Sequence, residues 1–211
     1  MDCMEYMKSF SDKFFELAIV DPPYGLGKKS TSGRGQLKGR CLNRGNIQSW
    51  DIRPSKEYFD ELFRVSKNQI IWGGNYFNLP SCRCFVCWDK KQHWKNFSQC
   101  EYAWTSFDKP AKLVSISNRG GNADKSKFHP TQKPIDLYMY LLDTFAISGD
   151  KILDTHLGSG SSRIAAYRMG FDFYGTEINK EYFDEQEKRF RRECFGEIKT
   201  SEGIIVQQNL F

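Results

Sequence analysis

The sequence predicts an α/β fold built on a doubly wound, mostly parallel sheet. Short apolar runs of strand length alternate with amphipathic segments of helix length. A glycine-rich turn follows one of the later strands and opens a helix, which is typical of such sheets. No internal repeat and no linker interrupt the 211 residues. We therefore expect a single domain over residues 1–211.

Each element has its own local signal. The apolar run 14–20 ends at Asp-Pro-Pro and predicts a buried strand, and the run 69–72 ends at Gly-Gly. Residues 55–67 follow Pro54 and place their apolar side chains on one helical face. A second helix is predicted from Pro134 to Ala146. The other predicted strands are 85–88, 102–105, 114–117, 151–153, 173–175 and 204–206, and the other predicted helices are 160–169 and 179–193.

The composition excludes several classes of protein. The chain has 17 Phe, 10 Tyr and 5 Trp, which argues against disorder. No apolar run reaches the roughly 18 residues that a membrane span needs, so no membrane partner is expected. The first ten residues lack the apolar segment of a signal peptide, which predicts a cytoplasmic protein. Seven cysteines without a secretion signal indicate reduced thiols.

The cysteines also raise the question of a metal site. Cys82, Cys84 and Cys87, with Cys100 further along, invite a zinc interpretation. However, the alternation of the predicted strand points Cys84 and Cys87 to opposite faces. We therefore predict no metal.

Basic charge is concentrated in one glycine-rich segment, residues 25–48, which contains no acidic residue. The net charge of the whole chain is only +5, so this uneven distribution is more informative than the total. A long basic loop within a domain is often functional, and its charge suits phosphate groups. Its basic residues are Lys28, Lys29, Arg34, Lys38, Arg40 and Arg44.

The segment 154–162 reads DTHLGSGSS, follows a predicted strand and begins a helix. Glycines there let the backbone approach a ligand closely. Glu177 lies at the end of the next strand, where a carboxylate can accept hydrogen bonds from a ribose diol. Arg163 stands where a dinucleotide motif needs its third glycine, so a nucleoside cofactor is favoured over a dinucleotide.

A second element, Asp21-Pro22-Pro23-Tyr24, follows the first buried strand. Ligands bind at this carboxyl edge in open α/β sheets. The prolines stiffen the chain and remove amide donors, which leaves the Asp21 carboxylate and the Pro22 carbonyl as fixed acceptors beside the Tyr24 ring. This array suits a flat ring that bears an exocyclic amine.

Taken together, the chain resembles the S-adenosylmethionine-dependent DNA amino-methyltransferases of the N6-adenine/N4-cytosine family, in the beta order of motifs. The resemblance rests on residues 21–24, on 129–134 (HPTQKP), on 154–162, and on 175–177 followed by Tyr182. It covers most of the chain, and the four motifs in this order are highly specific. It implies a Rossmann-like methyltransferase fold with a seven-stranded sheet and S-adenosyl-L-methionine as the cofactor.

The resemblance also implies roles for individual positions. Asp21, Pro22, Pro23 and Tyr24 would form the catalytic element, and Glu177 would hold the cofactor ribose. Thr131 and Lys133 would lie near the methionine end of the cofactor, and Asp2-Cys3 near its adenine. The remaining cofactor-binding residues would be Asp154, Thr155, His156, Gly158, Ser159, Gly160 and Ser161.

The expected reaction is methylation of the N6 amine of an adenine that has flipped out of double-stranded DNA. Asp21 and Pro22 would accept the two amine protons as hydrogen bonds, and Tyr24 would stack on the base. Asp at the first motif position favours adenine, whereas N4-cytosine relatives more often carry Ser. As partners, the resemblance adds a second copy of the chain and a restriction endonuclease.

Two departures keep other interpretations open. His156 stands where relatives usually have Phe, and the chain begins almost at Asp2, where relatives often have a preceding strand. Both would fit a non-catalytic DNA-binding relative. Enzymes that methylate RNA bases or glutamine usually have Asn in place of Asp21, and the glycine spacing speaks against a dehydrogenase. No large separate recognition domain is evident between Tyr24 and His129, so the resemblance implies that the basic residues of 25–48 bind and read the DNA, with 89–128 as a further candidate segment.

Overall fold

A seven-stranded sheet forms the centre of the computed structural model, which describes residues 1–26, 51–92, 98–118, 128–129, 131–200 and 203–206. The strands are β1 Phe15–Val20, β2 Ser66–Trp72, β3 Phe85–Asp89, β4 Cys100–Thr105, β5 Lys112–Ser115, β6 Lys151–Asp154 and β7 Asp172–Gly175. Their spatial order is β5-β3-β4-β2-β1-β6-β7. Every neighbouring pair is parallel except the two that involve β4, which confirms the predicted α/β class and the strand number of the sheet.

Five α-helices accompany the sheet in the described ranges: α1 Cys3–Lys8, α2 Lys56–Val65, α3 Ile135–Phe145, α4 Ser161–Arg168 and α5 Lys180–Phe195. Local capping explains several of their ends. The carboxylate of Asp2 accepts from Met4 N at 2.8 Å and begins α1. The side chain of Asn179 does the same for α5, which ends at Gly196 with φ of 68°.

The structure corrects the prediction in several places, and the predicted strand 114–117 is found two residues earlier, as β5 Lys112–Ser115. Helix α1 was not expected, because six residues of mixed polarity carry little periodicity. Helix α2 ends at Val65, not at 67, because the longer β2 begins at Ser66. The predicted strand 204–206 exists as β9 Gly203–Val206, but it pairs with β8 Glu197–Thr200 in a separate hairpin.

The sheet is buried on both faces. Leu17 and Ile19 of β1 pack on one side with the apolar residues of α3 and α4, whereas Ala18 and Val20 pack on the other side with α1 and α2. This alternation follows from the two-residue period of a strand. It explains why β1 is continuously apolar from Leu17 to Val20, as strands covered on both faces are. Within the described ranges, no helix is long and apolar enough to cross a membrane.

The connections place a ligand site between β1 and β6. From β1 the chain crosses through α2 to β2 on one side, and from β6 it crosses through α4 to β7 on the other. The strand order therefore reverses between β1 and β6, which pair directly through Leu17 and Ile152. A crevice is expected outside the carboxyl ends of two such strands.

Candidate active site

The carboxyl ends of β1, β6 and β7 bring the predicted motifs to one edge. Asp21 follows β1, and Asp154 is the last residue of the neighbouring strand β6. Glu177 comes two residues after the end of β7, which pairs with β6. The structure thus gathers the two elements that the sequence separates by more than a hundred residues.

Asp154 organises the turn from β6 into α4. Its Oδ1 accepts from His156 N at 3.0 Å, and its Oδ2 accepts from Ser162 Oγ at 2.5 Å. Burial raises the pKa of Asp154 to about 7, opposed by these two hydrogen bonds and assisted by the charge of Asp21. The position therefore supports the turn through both carboxylate oxygens.

The glycines of the turn have conformations that other residues rarely adopt. Gly158 has φ of 51° and Gly160 has φ of 74°. A Cβ on Gly160 would also lie 2.9 Å from Gln186 Oε1, so the turn packs closely on α5. Arg189 of α5 donates to Ser159 O and to Ser161 Oγ, each at 2.8 Å. The predicted cofactor-binding turn is therefore held from behind by α5.

Glu177 is tied to the same turn. Its Oε2 accepts from Gly158 N and its Oε1 from Asn179 N, each at 2.9 Å. Burial nevertheless raises the pKa of Glu177, because the cost of desolvation exceeds the help from these amides. The backbone oxygen of Glu177 accepts from the Met1 amino group at 3.0 Å, so the N-terminal segment with Asp2 and Cys3 lies beside it. Burial, then the Asp2 charge, raises the pKa of Cys3 to about 11, so its thiol stays protonated.

His156 belongs to a series of hydrogen-bonded polar side chains that ends on α2. Its Nδ1 is 2.9 Å from Thr155 Oγ1, which is 2.6 Å from the hydroxyl of Tyr58, and its ring meets the Tyr58 ring edge-on at 5.5 Å. Burial lowers the pKa of His156 from 6.5 to about 4. The imidazole is therefore neutral at physiological pH and presents a flat ring, as the Phe of relatives would.

This burial predicts a pH dependence of stability. Because the folded pKa lies below the ordinary value, the unfolded chain binds the proton more readily, and stability is lost as the pH falls below about 6.5. Between about pH 7.5 and about pH 5.5, His156 should remove about 1 kcal/mol from the free energy of unfolding. In His156→Phe that contribution should be absent. Urea denaturation of both proteins at the two pH values measures it, and equal pH dependence would contradict it.

The first and last residues of the Asp21–Tyr24 element are hydrogen-bonded to each other. Tyr24 Oη donates to Asp21 Oδ1 at 2.7 Å, and the Tyr24 ring stacks on Tyr76 with centroids 4.9 Å apart and planes 22° apart. Burial and the Asp21 charge raise the pKa of Tyr24 well above 10, so it remains a donor. Gly73, with φ of 68°, touches the ring so closely that a Cβ there would lie 2.2 Å from it. The Tyr24 ring therefore rests against the turn that follows β2.

Lys133 connects the Asp21–Tyr24 element to the glycine turn after β6. Its Nζ donates to Asp21 Oδ2 at 2.5 Å and lies 3.2 Å from Glu101 Oε2, and its side chain is only 3% exposed. Its backbone oxygen accepts from Ser161 Oγ at 2.7 Å. Burial lowers the pKa of Lys133, but the two carboxylates outweigh burial and raise it. Lys133 is thus a buried cation that both motifs share.

Thr131 and His129 complete the segment before Lys133. Thr131 Oγ1 is 3.2 Å from His129 Nδ1, and the His129 ring meets the Tyr182 ring edge-on at 4.4 Å. The His129 ring also lies 3.5 Å from where a Cβ on Gly158 would be, so it borders the glycine turn. Burial, then the charge of Lys133, lowers the pKa of His129 to about 3. Thr131 therefore contacts the residue that borders the turn, and its role at a ligand stays a prediction.

Four residues of this site were missed by the sequence analysis: Tyr58, Tyr76, Lys90 and Glu101. The signal for Tyr76 was present, since it follows the Gly-Gly end of a strand that neighbours β1. The six predicted DNA-binding residues lie outside the described residues. Of the segment 25–48, the structure describes Gly25 and Leu26, which carry no charge. Gly25 N donates to Asp51 Oδ1 at 2.9 Å, so the chain leaves and returns directly beside Tyr24.

Comparison with known proteins supports one family. The model of the N6/N4 methyltransferase family, described as DNA methylase, matches residues 71–188, more than half of the chain. The type II methyltransferase M2.DpnII of Streptococcus pneumoniae is 40% identical over 148 residues, which are 70% of this chain and 51% of that relative.

Solved structures share the fold. The cytosine-N4-specific PvuII DNA methyltransferase superposes with a TM-score of 0.60 at 16% identity, over 90% of this chain and 84% of that chain. The M1.HpyAVI–SAM complex gives a TM-score of 0.57 at 18% identity, over 90% and 96% of the two chains. At these identities the superpositions show a common Rossmann-like methyltransferase fold.

Proposed function

Because the chain belongs to the N6/N4 DNA methylase family, we propose that it methylates the exocyclic amine of a DNA base, with S-adenosyl-L-methionine as the cofactor and the N6 amine of adenine as the target. The observation that carries the proposal is the junction at Lys133. There the Asp21 carboxylate and the glycine turn of β6, two separate requirements of such a reaction, meet within hydrogen-bond distance of one residue.

The residues of the turn fit a nucleoside cofactor. The Glu177 carboxylate faces the turn, and a carboxylate has about four acceptor positions, enough for backbone amides and a ribose hydroxyl together. Gly158 and Gly160 present backbone without side chains. When bound, S-adenosylmethionine would supply an electrophilic methyl group on its sulfonium. We propose that it is held by the turn, by Glu177 and by the N-terminal segment with Asp2 and Cys3.

The chain's own residues would then prepare the base. An aromatic amine is a poor nucleophile, because its lone pair is delocalised into the ring. Asp21 and the Pro22 carbonyl would accept its two protons as hydrogen bonds and draw the nitrogen towards tetrahedral geometry. The Tyr24 hydroxyl, which now donates to Asp21 Oδ1, marks one direction from which that amine can approach. The Tyr24 ring would stack on the flipped base, supported from behind by Tyr76.

The proposed DNA contacts begin beside this site. The segment 25–48 starts directly after Tyr24, and Asp51, which follows it, is hydrogen-bonded to Gly25. Its six basic residues would neutralise phosphates, so binding should weaken as salt increases. We propose a single domain that binds double-stranded DNA through this segment, and a second copy of the chain and a partner endonuclease remain predictions.

The test identifies the product. The protein is incubated with S-adenosylmethionine and duplex DNA of mixed sequence, and the DNA is digested to nucleosides for mass spectrometry. We expect N6-methyladenine, absent without cofactor and absent from RNA of the same sequence. N4-methylcytosine would keep the chemistry and change the base. No methylated nucleoside, despite measurable cofactor binding, would contradict the proposal.

A further inference from the structure

A row of alternating charges leads from Lys90 to the Asp21 carboxylate. Lys90 forms an ion pair with Glu101, Glu101 faces Lys133, and Lys133 binds Asp21. Three strand ends and one loop supply these residues. Asp21 follows β1, Lys90 follows β3, and Glu101 is the second residue of β4. Because β4 is antiparallel to its neighbours, its beginning lies at the edge where β1 and β3 end.

The row is shielded along most of its length. The side chain of Lys133 is 3% exposed, and those of Asp21 and Lys90 are 14% and 13% exposed. The ring of Trp72 lies under Lys133 Nζ at 5.1 Å, and the ring of Trp88 lies under Lys90 Nζ at 5.6 Å. Shielded charges interact more strongly than exposed ones, so each member influences the position of the next.

We infer that Glu101 is a positioning residue for Asp21 and acts through Lys133, with Lys90 holding Glu101 in place. Lys133 stands between two carboxylates that compete for one ammonium. If Glu101 lost its charge, Lys133 would be drawn wholly to Asp21 and would occupy the oxygen that a base amine needs. If Lys90 were lost, Glu101 would draw Lys133 away from Asp21. The balance between the two carboxylates thus sets how closely Lys133 binds Asp21 Oδ2, and with it the position of the Asp21 carboxylate.

The groups that face Asp21 come from several elements of the fold. Burial, then the charges of Asp154, Asp21 and Glu101, raises the pKa of Tyr138 well above 10. The titratable groups around Asp21 are Tyr24 in its own segment, Tyr58 of α2, Glu101 of β4, Lys133 in the loop before α3, Tyr138 of α3, and Asp154 of β6.

The inference rests on the proposed methyl transfer. It predicts a loss of kcat in both of two variants, but opposite shifts of their kcat–pH profiles. Both Glu101→Gln and Lys90→Met should lower kcat about tenfold or more, with little change in the KM for DNA or in cofactor binding. In Glu101→Gln a negative charge beside Asp21 is lost, so the acidic limb of the kcat–pH profile should move about one unit to lower pH. In Lys90→Met the limb should move in the opposite direction, by about half a unit, because the lost cation lies further away.

The experiment compares these variants with wild type and with Asp108→Asn, which removes a partner of an ion pair whose side chains are 65% and 86% exposed. Thermal unfolding checks that each protein is folded. If one variant does not fold, the pH profile of the other, compared with wild type, still tests the inference. Coincident pH profiles, or shifts in the same direction, would overturn the inference while wild-type activity stands. Inactive wild type would instead count against the proposed function.

Discussion

Asp21→Ala is expected to lower the rate of methyl transfer about a thousandfold. Asp21 is the one carboxylate placed at the end of β1 beside Tyr24 and Lys133, and without it only the Pro22 carbonyl of this element remains as an acceptor for the amine. Losses of roughly 10²- to 10⁴-fold are usual when a positioned acceptor or proton-transfer group is removed. The measurement is the single-turnover rate with DNA and saturating cofactor.

Binding of the cofactor should survive this change, because the residues proposed to hold it lie on the β6 turn and after β7. Calorimetric titration with S-adenosylmethionine provides that control. Asp21→Asn keeps the shape and one acceptor, so its rate should lie between those of wild type and Asp21→Ala. Asp108→Asn, at an exposed position, should match wild type. An Asp21→Ala protein that is folded and fully active would exclude the proposed catalytic role.

Lys133→Met is expected to reduce the free energy of unfolding by about 3 kcal/mol. The variant fills the same buried space but leaves Asp21 facing Glu101 without the cation that lies between them. Removing one partner of a buried pair destabilises by leaving the remaining charge uncompensated. Protonation of a carboxylate relieves that charge, so the loss should be smaller at about pH 5 than at about pH 8.

Urea denaturation at the two pH values measures this difference. Lys56→Met is the matched control, because Lys56 forms an ion pair with Asp60 but is 81% exposed. Its loss should stay below about 0.5 kcal/mol. Equal losses in the two variants, or a loss in Lys133→Met that does not depend on pH, would show that Lys133 does not balance the two carboxylates.

Much of the fold and part of the site could be predicted because the signals are local. Most strands of the large sheet contain a short apolar run, and Asp21 follows one such run while Asp154 ends another. Parallel strands end at the same edge, so strand ends alone indicate that the motifs meet. Helix α1 has too few residues to show a period, and the roles assigned to the predicted site residues remain predictions.

The sequence by itself determined the α/β class and the edge at which the motifs lie, because these follow from periodicity and from residues adjacent in the chain. The seven-stranded sheet was implied by the resemblance, whereas local patterns also predicted the strand 204–206, which lies in a separate hairpin. Only the tertiary structure decided which side chains meet there. Glu101 reaches the site because β4 runs antiparallel and begins where its neighbours end, and a run of apolar residues does not reveal strand direction. Lys133 likewise binds Asp21 across 112 positions of chain, a contact set by packing between strands and not by any local pattern.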